Sequence, residues 1–311
     1  MLPFLPALYF GWGIGAADAA NTFGPQIGAN VISFRSAVWL AAIFAFVGAI
    51  VEGPKVFPTL GRLTSLSLEM SVIAALAAGA TMHLLVRYGM PVSSSHSIVG
   101  ALVAVGLFQH AGLDGRILTR IGVSLITVPL GAATIAYFLH RLLGVIVPRR
   151  LGIGLFFQST VRLAGIAIGS YGAYALGANH VGNAVAPFVG VGLLTPPTAA
   201  VLGGLAIAAG VLTYSRNIIM LVGKQITALD PVSALVAVAA SAATVHLFTQ
   251  LAIPVNTSQA MVGAVVGVGL TKGMVAVNPR MLYMIPLAWV MSFVGAGGAA
   301  YVLMAVSAAF R

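Results

Sequence analysis

The chain has 311 residues, of which 60% are hydrophobic and 6% charged, with a mean hydropathy of +1.06. A soluble globular chain carries about 25% charged residues, so this composition excludes a soluble domain and describes a polytopic membrane protein, with room for about ten spans of roughly 20 residues each. The net charge of +10 and the absence of cysteine exclude less: the bases stand in short stretches between apolar runs, where they set topology and meet anionic lipid rather than nucleic acid, and disulfides, thiolate metal sites and Cys nucleophiles are ruled out.

The first apolar stretch, 2–17, has no basic segment before it and reads as a first span rather than a cleaved signal peptide. It runs into a polar phrase, Gly15-Ala-Ala-Asp-Ala-Ala-Asn-Thr-Phe-Gly-Pro25. Further apolar stretches follow at 36–51, 68–88, 97–110 and 117–140, the third preceded by Pro91-Val-Ser-Ser-Ser-His-Ser-Ile-Val-Gly-Ala101. Between 140 and 162 lie His140, Arg141, Arg149, Arg150 and Arg162 with Pro148 and Gly152, a natural join between halves, cytoplasmic by its Arg content. The second half repeats the plan, with apolar stretches at 163–178, 197–214, 232–252, 260–271 and 281–309.

Both polar phrases recur. Gly177-Ala-Asn-His-Val-Gly-Asn-Ala-Val-Ala-Pro187 puts His180 162 positions after Asp18, and Pro254-Val-Asn-Thr-Ser-Gln-Ala-Met-Val-Gly-Ala264 puts Gln259 163 after His96. Gly61-Arg62 and Gly223-Lys224 match at the first offset. The chain is therefore an internal duplication, 1–150 and 151–311. Polar phrases recurring in apolar sequence point to a transporter's binding site. Gly costs a helix about 1 kcal/mol and Pro about 3, so 18–32, 91–101, 180–194 and 254–264 are expected to be half-helices or re-entrant hairpins. Such backbone survives at membrane depth only when buried in protein or lining a wet cavity.

Within these phrases the residue types suggest chemistry. Asp18 is either a helix cap or an ionisable group facing a cavity or partner. Asn21 and Asn183 each stand three positions after Asp18 and His180, on the same helix face. An amide can ligate a cation through oxygen, hold an oxyanion through nitrogen, or tie helices together. Ser93, Ser94 and Ser95, and Asn256, Thr257 and Ser258, have the pattern of helix N-termini, whose free N–H groups and positive dipole end bind anions. His96 and His180 are either hydrogen-bonding groups or proton carriers. His83, His110, His140 and His246 lie outside the phrases and read as interfacial or packing residues. Glu52 and Glu69 read as interface groups, with Val51-Glu-Gly-Pro-Lys55 a gate candidate.

At these phrases the chain resembles the inorganic phosphate transporter (PiT) family, which includes sodium- and proton-coupled carriers and related sulfate permeases. The family's Gly-Ala-Asn-Asp-Val-Ala-Asn-Ala is similar to 15–22 and 177–184, and its Pro-Val-Ser-Thr-Thr-His-x-x-Val-Gly-Ala to 91–101 and 254–264. The stretch Thr213 to Leu270, with Val222-Gly-Lys-Gln-Ile-Thr-Ala-Leu-Asp-Pro231, is also close. The resemblance implies an all-α polytopic fold of two inverted-topology repeats with broken or re-entrant helices, an oxyanion held between the two phrase pairs, and a homodimer. Here Ala17 replaces the family Asn, His180 the second Asp, Gly182 an Ala, Asn256 a Ser and Gln259 a His.

Together these point to a symporter in the cell membrane, not an enzyme, with no cofactor. It would carry phosphate with Na+ or H+, its sulfate permease relatives offering the alternative substrate. The substrate-binding set is Asp18, Asn21, Ser93, Ser94, Ser95, His96, Asn179, His180, Asn183, Asn256, Thr257, Ser258 and Gln259. Asp18, Asn21 and Asn183 are the candidate Na+ ligands. Asp18 favours phosphate, which near pH 7 keeps a proton that a carboxylate can accept; His180 in place of a second acid favours sulfate. A passive channel is a further reading. So is a hydrolase built on Ser94 or Ser95, but no nucleophile-elbow pattern surrounds either serine.

Overall fold

The computed structural model describes residues 3–88, 90, 92–146, 155–216, 229–273 and 279–310. The expected join at 147–154 and the stretch Val222 to Ala228, with Gly223-Lys224, lie outside the described residues, as does Pro91. The rest is helical: α1 Leu5–Asp18, α2 Ala20–Gly28, α3 Phe34–Val51, a 3-10 turn Gly53–Val56, α4 Phe57–Gly61, α5 Leu68–Arg87, α6 Ser94–Phe108, α7 Gly115–Ile146, α8 Leu155–Gly190, α9 Pro196–Tyr214, α10 Pro231–Gln250, α11 Thr257–Thr271 and α12 Pro279–Ala309. Six of these, α3, α5, α7, α9, α10 and α12, are long and apolar enough to cross a bilayer, and α6 and α11 are shorter apolar helices. Their outer faces carry exposed apolar side chains such as Trp39, Ile126, Phe138 and Val294, the surface that hydrocarbon would cover.

The helices start where their caps are. Ser33, Ser67, Ser93, Thr195, Asp230 and Asn256 stand just before α3, α5, α6, α9, α10 and α11, and each side chain accepts a backbone N–H of the first turn. This satisfies one of the donors a helix start leaves free. The caps fall in pairs at equivalent positions of the two halves: Ser33 with Thr195, Ser67 with Asp230, Ser93 with Asn256.

Packing follows the same pairing. Helix α1 packs on α9 and α3 on α8; α7 packs on α11 and α12 on α6. Each contact between halves thus has a counterpart with the halves exchanged. Glycines make the closest of them. A Cβ on Gly15 would lie 1.9 Å from the Ile207 carbonyl oxygen, and one on Gly177 1.8 Å from that of Ala45. Gly48 meets Tyr174 at 2.0 Å and Gly210 meets Trp12 at 1.9 Å in the same way. Small residues let membrane helices approach to backbone contact, where dispersion replaces the missing hydrophobic force.

These contacts correct the expected breaks. The segment 180–190 is not a half-helix or hairpin: α8 runs unbroken through it, with Pro187 inside. Gly177 and Gly182 serve close packing against Ala45 and Val56, and in an apolar medium an unbroken hydrogen-bond ladder outweighs weak helix propensity. Segment 18–32 is interrupted at Ala19, whose carbonyl accepts both the N–H (3.1 Å) and the hydroxyl (2.8 Å) of Thr22, and leaves the helix again after Gly28. The other two expectations hold: Val92 and Ser93, and Ile253 to Asn256, are non-helical and lead directly into α6 and α11.

Gly177→Ala is expected to lower stability by about 1–3 kcal/mol or more, since the backbone must move apart. Gly298→Ala, where nothing lies within 4 Å, should be neutral. Thermal unfolding of the detergent-purified variants checks both.

Candidate functional site

Asp18 ends α1 at the centre of the molecule, with 1% of its surface exposed. Its Oδ2 accepts the Ser94 hydroxyl at 2.8 Å and stands 3.7 Å from His180 Nε2. Ser94 is the first residue of α6, so this bond joins the end of one helix to the start of another. His180 is fully buried, and neither ring nitrogen makes a hydrogen bond within 3.5 Å. Among the described residues it is the one ion-pair partner within 4.0 Å of Asp18. A buried carboxylate with neutral donors and one uncommitted imidazole lacks a full counter-charge.

The two asparagines cross between the halves. Asn21 Nδ2 donates to Thr257 Oγ1 at 3.2 Å and Ser258 Oγ at 3.0 Å. Asn183 Nδ2 donates to Ser94 Oγ at 3.4 Å and Ser95 Oγ at 3.0 Å. The pairs are equivalent: each half's asparagine holds the first-turn hydroxyls of the other half. Ser95 adds a third crossing, donating to the Val255 carbonyl at 2.9 Å. The first turns of α6 and α11 are thereby drawn together around Asp18, with Asn183 Oδ1 and Asn256 Nδ2 buried and without partners. Unsatisfied buried polar atoms are rare in folded proteins, and several of those found here gather at this centre: an acceptor, a donor and an uncommitted imidazole.

Beside this centre lies a cavity of about 140 Å³, lined among others by Ser95, His96, Asn256, Gln259, Val255 and Phe293. His96 and Gln259, equivalent residues, face it from opposite helices. A smaller void of about 10 Å³ between Asn21, Thr22, Ser241 and Thr257 has room for a single water-sized particle.

Two predicted site residues are scaffolding. Asn179 donates to Thr249 Oγ1 and the Ile253 carbonyl, both at 3.0 Å, and accepts the Val255 N–H at 2.9 Å, fixing the turn before α11. Ser93 caps α6 and hydrogen-bonds His96 Nδ1. The sequence reading missed Ser292, which accepts the Ser93 N–H at 3.2 Å and so supports the turn before α6, where Ala17 has no amide to offer. It also missed Trp289, stacked on His96 with ring centroids 6.3 Å apart. Nothing in the apolar run 281–309 distinguishes Ser292, though Trp289 is one of only three tryptophans.

A polar, oxygen- and amide-lined centre enclosed by two equivalent sets of apolar helices is the architecture of a membrane carrier. The sequence model of the phosphate transporter family matches residues 14–300, and the chain belongs to that family. It is a multi-pass membrane protein, and not an enzyme. A Pyrococcus abyssi protein named "Putative phosphate permease" is 28% identical, over 96% of this chain and 95% of its own length. The sulfate permease CysP of Bacillus subtilis is 27% identical over 86% of this chain and 76% of its own. The structure of a sodium-dependent phosphate transporter has the same fold, at 22% identity, with a TM-score of 0.84 over 98% of both chains.

Asn179→Ala would leave the buried Val255 N–H without a partner, a loss of about 1–3 kcal/mol. The expected result is a lower unfolding temperature and faster hydrogen exchange at Val255, read by exchange mass spectrometry of the purified protein.

Proposed function

We propose that the protein is a secondary active transporter that carries inorganic phosphate across the membrane together with Na+ or H+. The observation that carries this is the meeting of two helix N-termini, one capped by Ser93 and one by Asn256 and both carrying hydroxyls in their first turns, beside a buried carboxylate whose counter-charge is incomplete. The N–H groups and dipoles of α6 and α11 favour an oxyanion. Thr257 and Ser258 offer hydroxyl donors to its oxygens and Asn256 Nδ2 is a free amide donor, while the Ser94 and Ser95 hydroxyls, which donate to Asp18 and the Val255 carbonyl, would turn to the anion only by releasing those acceptors. Asp18 attracts the cation or accepts a proton. With Asn21 Nδ2 and Asn183 Nδ2 committed to hydroxyls, their Oδ1 atoms are the ligands left for Na+, alongside the carboxylate. The exchanged contacts support reading 1–150 and 151–311 as repeats related by a two-fold rotation. With the axis in the membrane plane, as in inverted repeats, the site lies on it, and rocking of the halves would expose it alternately.

Sulfate is the second reading, and His180 favours it. A sulfate dianion has no proton to give a carboxylate, whereas an imidazolium beside Asp18 would supply positive charge. The sulfate permease among the relatives supports keeping this alternative.

Uptake of labelled phosphate and sulfate into proteoliposomes under imposed Na+ or pH gradients tests both readings. Phosphate accumulation that needs a gradient is expected; accumulation of neither anion, or equilibration without coupling, rejects the proposal. Asp18→Asn, isosteric and uncharged, should reduce coupled uptake at least about 100-fold while leaving the unfolding temperature unchanged or raised, because a neutral amide is less costly to bury than a carboxylate. Normal uptake by this variant would reduce Asp18 to a structural group. His180→Asp restores the acid the family pattern carries there. It should steepen the dependence of uptake on Na+ concentration, measured at fixed pH.

A further inference from the structure

A second titratable cluster lies away from the central site. Glu52 follows α3, and its Oε2 accepts His246 Nε2 at 3.0 Å and Gln250 Nε2 at 2.7 Å. On the far side of the imidazole, Nδ1 meets the Tyr171 hydroxyl at 2.8 Å. Lys55 bonds Gln250 Oε1 at 2.7 Å and stands 3.4 Å from Glu52 Oε1. Tyr174 packs edge-on against the His246 ring, 5.8 Å between centroids. The groups thus come from every element at this corner: Glu52 and Lys55 from the end of α3 and the 3-10 turn, Tyr171 and Tyr174 from α8, His246 and Gln250 from α10. Partial burial works against the charge on Glu52. The Gln250 and His246 hydrogen bonds and the charges of His246 and Lys55 outweigh it and hold the carboxyl below the usual range.

The other half contains the same cluster in a different chemistry. Tyr9, Trp12, His83 and Tyr214 occupy the positions equivalent to Tyr171, Tyr174, His246 and Glu52, at offsets of 162 or 163. They form an aromatic stack: Trp12 lies 6.0 Å from His83 and 5.2 Å from Tyr214, and His83 lies 5.9 Å from Tyr214. Trp12 and Tyr174 each stand six residues, ~9 Å of helix, before the central Asp18 and His180. On the Glu52 side the next residue touches the layer of the site itself. A Cβ on Gly53 would come within 2.4 Å of Val181 Cγ1, and one on Gly182 within 2.7 Å of Val56 Cγ2. The Thr59 hydroxyl bonds the Ala252 carbonyl, tying this segment to the turn that Asn179 fixes.

We propose that Glu52, His246 and Tyr171 form a proton-binding site distinct from the oxyanion site, which when protonated clamps one end of the transport path shut, while the aromatic stack of Tyr9, Trp12, His83 and Tyr214 closes the other end without a carboxylate. This rests on the carrier reading and on the inverted relation of the halves. The chemistry is a proton equilibrium with no other bond made. In the neutral state Nε2–H donates to Glu52 and the Tyr171 hydroxyl donates to Nδ1. On protonation Nδ1–H donates to the Tyr171 oxygen instead, and the Glu52 contact becomes an ion pair. The ion pair exists only while the imidazole holds its second proton, so the clamp is closed on the acid side and open on the alkaline side.

The chain has no cysteine, so one introduced thiol reports alone. Val181→Cys lies directly beneath the clamp and is fully buried in this structure. Its labelling by a membrane-impermeant maleimide, in proteoliposomes without substrate, is divided at each pH by that of a freely exposed cysteine, because only the thiolate reacts; this ratio, which all the comparisons below use, should be about threefold higher at pH 8 than at pH 6, the size a partly exposed ion pair supports. With Glu52→Gln or His246→Gln added, labelling should be fast and flat with pH. Ala19→Cys, the equivalent position in the other half, should show no pH dependence. Labelling of Val181→Cys that is absent or flat overturns the proposal, as does a pH dependence that survives in both clamp variants. Where one clamp variant fails to purify as a folded monodisperse species, the other decides. Since labelling needs no transport, a pH-dependent clamp in a protein that moves neither phosphate nor sulfate would reject the oxyanion reading and leave the proton site standing.

Discussion

Much of this molecule is arranged around one unfavourable group. Asp18 carries a carboxyl to the middle of a bundle whose outer surface faces hydrocarbon, where an unpartnered charge costs several kcal/mol. The partners it has arrive from sequence-distant places: Ser94 opens α6, and His180 belongs to the second half. Holding them requires the turns before α6 and α11 to be placed closely, and the cross-linking amides of Asn21 and Asn183 do that. Even so the hydrogen-bonding capacity is not filled. A fold that gathers polar groups and leaves an imidazole, a carbonyl oxygen and an amide nitrogen unmatched is organised for something that comes and goes.

The apolar part of the structure serves the same end by a different force. Helices in lipid gain no hydrophobic energy from meeting one another, so the bundle depends on close approach. Gly15, Gly48, Gly177 and Gly210 provide it at two equivalent crossings. These crossings flank the motif-bearing segments of α1 and α8, so the glycines that look like helix breakers in the sequence are what keep Asp18 and His180 within reach of each other. The same logic explains why Pro187 is tolerated: the helix continues because the alternative is bare backbone in an apolar setting.

The halves share their closest glycine crossings, Gly15 with Gly177 and Gly48 with Gly210, but differ at several polar positions. Asp18 faces His180, Ala17 corresponds to Asn179, His96 to Gln259 and Glu52 to Tyr214. A duplicated scaffold needs matched shapes to close on itself, but its chemistry is free to differ at each end. In this chain one half has lost an amide, and Ser292 on α12 supports the turn in its place.

The sequence by itself determined the membrane class, the recurrence of two polar phrases in the same order, the ten apolar stretches, the two capped helix starts and most of the central residues. These are properties of composition, of a constant offset of 162 to 163, and of local cap chemistry, all of which are written in near neighbours. Tertiary structure decided the rest. It made 155–190 one helix, because whether a glycine breaks or packs depends on what stands opposite. It turned Asn179 and Ser93 into scaffolding, because an amide or hydroxyl is available to a ligand only if no protein atom takes it first. It joined His246 to Glu52, 194 positions apart, and made of His83 the same corner in aromatic form. The offset of 163 between the two histidines was visible in the chain, but a pair of histidines acquires a role only when folding supplies the groups around each.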